Sequence, residues 1–211
     1  FIVGTVGISL FNNQTVGIIL VITHKLACIT VGILFGFMKE EDKVKWDRYN
    51  VNTRQKDDKT LGGILGESIK NAISTVLMIG GFVVIFSIII SILNNSHVLE
   101  IISKIISPII TSIGINAEFV KPVLAGLIEL TNGVKLVSEA SIVNYNLSII
   151  LSAFLLGFGG VSILLQVSSI VAKTDLSMKK YVFGKLLQGI IASVYVFLAL
   201  NFIPSLEVQS I

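Results

Sequence analysis

Charge is scarce in this sequence: Asp, Glu, Lys and Arg together make up 14% of 211 residues. Against that stands a hydrophobic content of 53% and a mean hydropathy of +0.88. A water-soluble domain cannot be covered by so little polar surface, so the composition selects an integral membrane bundle. Cysteine is almost absent. Cys28 stands by itself in an apolar segment, which excludes a disulfide framework and a thiolate metal site. The two histidines, His24 and His97, have no ligand spacing, so no metal or other cofactor is expected. The net charge of +3 is too small and too dispersed for a nucleic-acid partner, and it fits loops beside a lipid bilayer. Phe1-Ile-Val-Gly4 has neither a methionine nor a basic signal region. It reads as a helix already under way, which predicts further chain upstream.

Long apolar runs are what the sequence has. Phe1 to Leu10 reads as the end of a span, and Thr15 to Met38 as a full span. At about 1.5 Å per residue such a run crosses a hydrocarbon core of roughly 30 Å. Residues 39–60 form a hydrophilic loop with seven Lys/Arg and six Asp/Glu. Leu61 to Asn71 is expected to be an amphipathic lead-in, and Ala72 to Leu93 a linking transmembrane helix. Val98 to Ile113, with Glu100 and Lys104 one turn apart and a stop near Pro108, reads as interfacial. Tyr181 to Ile203 is the last span, ended by Pro204.

Two segments between these break the pattern. Ala117 to Leu130 and Val134 to Ala140 are short arms around Thr131-Asn132-Gly133, a re-entrant hairpin with its tip at membrane depth. Leu147 to Lys173 is long enough to cross but is interrupted at Gly157-Phe-Gly-Gly160. Glu129 lies in the first arm. A charge at membrane depth costs roughly 2.5–3.5 kcal/mol on insertion scales, so such residues usually mark a pathway or a bound ion. Interrupted helices are tolerated there only around a protein-lined cavity, as in transporters.

Lysine placement sets orientation. Residues 39–60 and the turn 173–180, with Lys173, Lys179 and Lys180, are assigned to the cytoplasm; the loops 11–14, 94–97 and 141–146 carry no Lys or Arg. The count closes when the hairpin makes no net crossing. Phe1-Ile-Val-Gly4-Thr-Val-Gly7-Ile-Ser9 also resembles Phe154-Leu-Leu-Gly157-Phe-Gly-Gly160-Val-Ser162, and each copy is followed by a helix with an early basic residue, Lys25 or Lys185. Opposite running directions make this an inverted repeat. Its expected parts are the end of a first copy over 1–38, a loop and lead-in over 39–71, a linking helix over 72–93, and a second copy over 98–203.

Gly126-Leu-Ile-Glu-Leu-Thr-Asn-Gly133, Phe154-Leu-Leu-Gly-Phe-Gly-Gly-Val-Ser-Ile-Leu-Leu-Gln166 and Lys179-Lys-Tyr-Val-Phe-Gly-Lys185 carry a family resemblance. They resemble the YlbJ-type sporulation integral membrane proteins of the nucleoside-recognition, or Gate, domain superfamily. The resemblance implies an all-α integral membrane protein, an inverted-repeat, transporter-like bundle with a re-entrant hairpin and a broken transmembrane helix. It also implies a role in endospore formation, moving dipicolinic acid from the mother cell across the outer forespore membrane. Nucleoside carriers, which the wider superfamily resembles, have an Asn and a Ser pair in the broken helix; here stand Gly160, Val161, Ser162 and Ile163. Most groups that would hold ribose are missing.

The candidate substrate site follows. Helix N-termini at Val134 and near Val161 would attract an anion such as dipicolinate through free N–H groups and the macrodipole. Gly133, Gly159 and Gly160 would let the ligand approach the backbone. Thr131, Asn132, Ser162 and Gln166 would add hydrogen bonds, and Lys25 and Lys185 positive charge. Glu129, which repels an anion, is expected to gate or couple transport, or to pair with Lys135 or a repeat lysine. Lys135 and Glu139 are expected to pair locally, and Gly32 and Gly36 to permit a close helix contact. No HExxH, nucleophile elbow or phosphate loop is present, so the reading is not that of an enzyme. The alternatives are a non-transporting assembly protein of the spore envelope and a nucleoside-type transporter. A homo-oligomer is compatible with either.

Overall fold

The computed structural model describes residues 1–37, 60–112, 114–171 and 177–202. All regular elements among these are helical. A π-helical segment, Ile2–Leu10, leads into α1 (Gln14–Phe37). There follow α2 (Leu61–Asn95), α3 (Val98–Ser112), the short pair α4 (Val120–Ile128) and α5 (Leu130–Glu139), then α6 (Tyr145–Phe158), α7 (Gly160–Val171) and α8 (Met178–Phe202).

Four stretches are long and apolar enough to cross a bilayer: α1, α2, α6 with α7, and α8. The expected count of spans is therefore met. Burial ranks them. The most apolar stretch of α6–α7 is 67% buried within the bundle, against 11% for α2, so the broken helix is central and α2 lies at the margin. The expected loop 39–60, the lysine Lys173 and Pro204 lie outside the described residues, apart from Thr60, whose hydroxyl accepts from Gly63 N–H and caps α2.

Three boundaries differ from expectation. No lead-in separates from α2: Leu61 to Asn95 is one helix, about 50 Å long and so longer than the hydrocarbon core. Its Gly62, Gly63 and Gly66 are tolerated because the helix around them continues unbroken. Pro108 does not stop α3; it sits inside the helix, which runs on to Ser112. The third concerns the hairpin. Its break falls at Glu129, and Thr131-Asn132-Gly133 form the first turn of α5.

Without a hydrophobic driving force between helices in lipid, packing must come from close backbone approach at small residues. The bundle is built on such pairs. A Cβ on Gly7 would meet Gly17 Cα at 2.5 Å, which joins the first segment to α1. A Cβ on Gly157 would meet Gly189 Cα at 2.5 Å, which joins α6 to α8. A Cβ on Gly133 would run into the backbone of Gly126 and close α4 on α5. Gly32 and Gly36, by contrast, meet nothing within 4 Å, so this GxxxG makes no helix contact among the described residues. In the first copy of the expected repeat, Gly4 and Gly7 lie within the π-helical segment. The chain there turns at Asn12, with φ of 50°, and α1 is capped by Asn13 Oδ1, which accepts from Thr15 N–H at 2.9 Å.

Candidate functional site: two helix breaks in contact

Glu129 is the hinge of the α4–α5 hairpin. Its backbone is extended (φ −140°, ψ 119°), its N–H ends α4 on Ala125 O at 2.8 Å, and its C=O starts α5 by accepting from Gly133 N–H at 3.1 Å. The side chain folds over the new helix. Oε1 accepts from Thr131 N–H at 2.9 Å, and Oε2 accepts from Asn132 N–H at 2.8 Å and from the Thr131 hydroxyl at 2.5 Å. The residue is 2% exposed. Its two oxygens thus satisfy N–H groups of a helix N-terminus that burial would otherwise leave unpaired. No lysine is needed. Lys135 is instead 3.9 Å from Glu139, the local pair expected from their spacing.

This capping changes the anticipated site. The N-terminus of α5 is at Leu130, not Val134, and Glu129 already fills it. Gly133 cannot receive a ligand, because its open side is packed on Gly126. Asn132 points away to α2, donating from Nδ2 to Ser87 Oγ at 3.0 Å. That contact ties the hairpin to the marginal span.

The second break meets the first. Gly159 (φ +89°) ends α6, donating its N–H to Leu155 O at 2.7 Å, and Gly160 (φ +76°) begins α7. Two consecutive left-handed residues require glycine. At Gly160 there is also no room: a Cβ would lie 2.8 Å from Gly126 O, 3.3 Å from Leu130 N and 3.4 Å from Ile128 O. The turn of the hairpin thus rests directly on the N-terminus of α7. Ser162, 3% exposed, follows in the first turn of α7. One turn further, Gln166 has a buried Nε2 with no hydrogen-bond partner. Of the expected site residues, Glu129, Thr131, Gly160 and Ser162 are gathered around this contact, with Gln166 one turn beyond.

Residues 76–177 match the family model described as Gate, nucleoside recognition. That stretch of the chain is similar to Gate domains. Both breaks lie inside the matched residues. Over 212 aligned residues the chain is 32% identical to sporulation integral membrane protein YlbJ of Bacillus subtilis (strain 168), an alignment that covers 94% of this chain. The chain spans about half the length of that relative, 52%. No solved structure matches. A multi-pass integral membrane protein, similar over residues 76–177 to Gate domains and over most of its length to a sporulation protein, is therefore what sequence and fold agree on.

The lysines of the expected site are elsewhere. Lys25 is exposed on α1. Lys185 is half-buried between α1 and α8, where its Nζ donates to Gln188 Oε1 at 3.0 Å. Gln188 Nε2 lies 3.5 Å from His24 Nε2, so the amide joins the two helices of the expected repeat. Sequence reasoning missed Gln188 and the partners Gly126 and Ser87. Two signals were there. Gly126 and Gly133 flank Glu129 almost symmetrically, as a hairpin hinged at Glu129 requires, and Lys185 and Gln188 fall at i,i+3 on one face of an apolar helix.

Proposed function

We propose that the protein moves a small organic dianion across a membrane, with dipicolinic acid the cargo carried from mother cell to forespore across the outer forespore membrane. The observation that supports this most is the meeting of two helix breaks over a buried carboxylate. Transporters place cargo where half-helix N-termini converge near the midplane, and a purely structural bundle has no use for two adjoining interruptions. The similarity to a sporulation membrane protein supports the biological setting.

The donor chemistry favours an acceptor-only cargo. An ionised dicarboxylate presents acceptors and needs donors. The α7 N-terminus, the Ser162 hydroxyl and the unpartnered Gln166 Nε2 are donors. A nucleoside instead brings hydroxyl and amine donors of its own, so it makes less use of this set of donors. Glu129 has a different task. Its carboxylate occupies the α5 N-terminus, which a cargo carboxylate would otherwise seize, and its charge repels the cargo from the hairpin side. In this reading a passing dianion competes with Glu129 for the same N–H groups, and movement of the Glu129 side chain gates the passage. Helix N-termini without a lysine cage bind weakly enough to release.

The test is uptake of labelled dipicolinate by proteoliposomes that hold the full-length protein, with a nucleoside such as uridine as comparison. Dipicolinate uptake that falls with Gln166→Leu and Ser162→Ala is the expected result. Absence of dipicolinate uptake, or a preference for uridine, rejects the reading. A second reading is a non-transporting assembly protein of the spore envelope. It is favoured by one observation: every polar contact of Glu129 is internal to the hairpin. Under it, Glu129→Gln lowers spore dipicolinate only as far as it lowers the amount of protein.

A further inference from the structure

The helices α1 and α8 leave a groove of about 390 Å³ between them, apart from the two-break site. It is lined by Lys180, Tyr181, Lys185 and Gln188 from α8 and by apolar Val31 and Phe35 from α1. Among the described residues no Asp or Glu lines it. Neither lysine has an ion-pair partner among the described residues. Gln188, 7% exposed, holds the Lys185 ammonium through a single acceptor, which leaves further N–H donors of that group for something else. The adjoining His24 keeps a buried Nδ1 without a partner. Two lysines thus line one groove, and among the described residues no carboxylate pairs with either.

The groove lies where α1 ends at Phe37 and α8 begins at Met178. Lys185 is seven residues into α8, about 10 Å along its axis, within reach of the headgroup layer for a long side chain. Positive ends of this kind attract the negatively charged lipids of a cytoplasmic leaflet. The geometry points to a site for an anionic phospholipid: its phosphate sits between Lys180 and Lys185, and the upper part of an acyl chain lies along Val31 and Phe35 beside Gly184. The volume exceeds what a phosphate group alone fills. Gly184 keeps the channel open, since a Cβ there would already touch Phe35 at 3.6 Å. This site is independent of the transport reading, because none of its residues belongs to the two helix breaks.

Native mass spectrometry of the full-length protein, equilibrated with phosphatidylglycerol and phosphatidylcholine, tests it. Phosphatidylglycerol should be retained preferentially. At about 1 kcal/mol for each basic residue near an anionic surface, the Lys180→Gln/Lys185→Gln double variant should bind it roughly 25-fold more weakly. Lys180→Arg/Lys185→Arg should retain it, which separates lost charge from lost folding. Gly184→Leu, which fills the groove without changing charge, should release it. Equal retention in wild type, the double glutamine variant and Gly184→Leu overturns the proposal. Displacement of the lipid by inorganic phosphate shows that a free anion is the ligand and overturns it too. So does protection of Lys185 from amine labelling in delipidated full-length protein, which means that another part of the protein fills the groove.

Discussion

Replacing Glu129 by Gln removes one charge and one acceptor from a cluster of three donors, and the cost can be worked from the geometry. Oε2 takes two bonds, from Asn132 N–H and the Thr131 hydroxyl, whereas Oε1 takes one, from Thr131 N–H. The amide orients its oxygen toward the pair, so its NH₂ faces the Thr131 N–H, donor against donor. One buried N–H is then unsatisfied, at about 1–3 kcal/mol, and the remaining bonds lose their charge assistance. A net loss of about 2–3 kcal/mol follows. For a chain of this size that corresponds to a fall in Tm of roughly 4–12 °C. Thermal unfolding of the purified full-length protein in detergent, followed by tryptophan or dye fluorescence, measures it. Thr131→Val removes only the hydroxyl donor and should cost about 1 kcal/mol; combined with Glu129→Gln it should add less than its single effect, because both act on one network. The same variants, matched for membrane abundance, report on transport. A Tm unchanged by Glu129→Gln refutes the cap. Normal dipicolinate uptake at a lowered Tm leaves the cap intact and refutes the gate.

Gly160→Ala should be strongly destabilising, by about 2 kcal/mol or more: the positive φ alone costs about 1 kcal/mol, and the new Cβ would press on Gly126 O at 2.8 Å. Reduced yield of folded protein measures it. Gly133→Ala should prevent hairpin closure, whereas Gly32→Ala and Gly36→Ala, which meet open space, should leave Tm unchanged. Asn132→Ala should lose the tie to Ser87 and cost about 1 kcal/mol, and a double-mutant cycle with Ser87→Ala should show coupling of that order. On α3, Lys104 and His97 hydrogen-bond Glu100 and hold its carboxyl below the ordinary value of 4.5. A lowered folded-state pKa gives stability that is full above the ordinary value and lost as pH falls through the lowered one. The Tm difference between wild type and Glu100→Gln should therefore be small, present at neutral pH, and absent in strong acid.

Spans were legible in the sequence because the bilayer imposes one requirement, a run of apolar residues of sufficient length, and α1, α6–α7 and α8 satisfy it within a residue or a few of expectation. The break in the central span was legible for a similar reason. Adjacent glycines at Gly159 and Gly160 signal left-handed backbone, and both adopt it. The hairpin hinge was displaced by three residues. Thr131-Asn132-Gly133 has turn composition, but the chain turns at Glu129, which is neither a usual turn former nor a preferred N-cap. Tertiary packing explains the displacement: Gly133 is needed for contact with Gly126, not for a turn, and Thr131 and Asn132 supply the N–H groups that Glu129 caps. The lysines misled in another way. Lys25 and Lys185 were grouped with the site by analogy between repeat copies, yet nothing in local sequence says which face of an apolar helix a lone cation takes. The i,i+3 spacing of Lys185 to Gln188 carried only their contact with each other; the neighbour, α1, comes from the fold.

On the proposed transport reading, the placement of Glu129 bears on why a buried acid should stand in the path of an anion at all. Two helix N-termini meet at the breaks, and left open both would hold a dicarboxylate cargo by two independent attractions of the kind that binds phosphate tightly. A site that strong does not release. With Glu129 on α5, one terminus is spent within the protein and the other, on α7, remains for cargo. On that proposed reading the capped hairpin is the closed state, and a cargo carboxylate near Gly160 would repel the Glu129 carboxylate beside it. Because Gly160 touches the backbone of Gly126, Ile128 and Leu130 directly, repulsion at that point acts on the hinge itself. Glu129→Ala should therefore differ from Glu129→Gln. Without any side chain to cap α5, the free terminus becomes a second cargo site, so dipicolinate should bind more tightly while its transport slows. Isothermal titration and uptake on the same preparation measure the two quantities. Weaker binding together with slower transport would mean that Glu129 holds the site's shape rather than competing with the cargo.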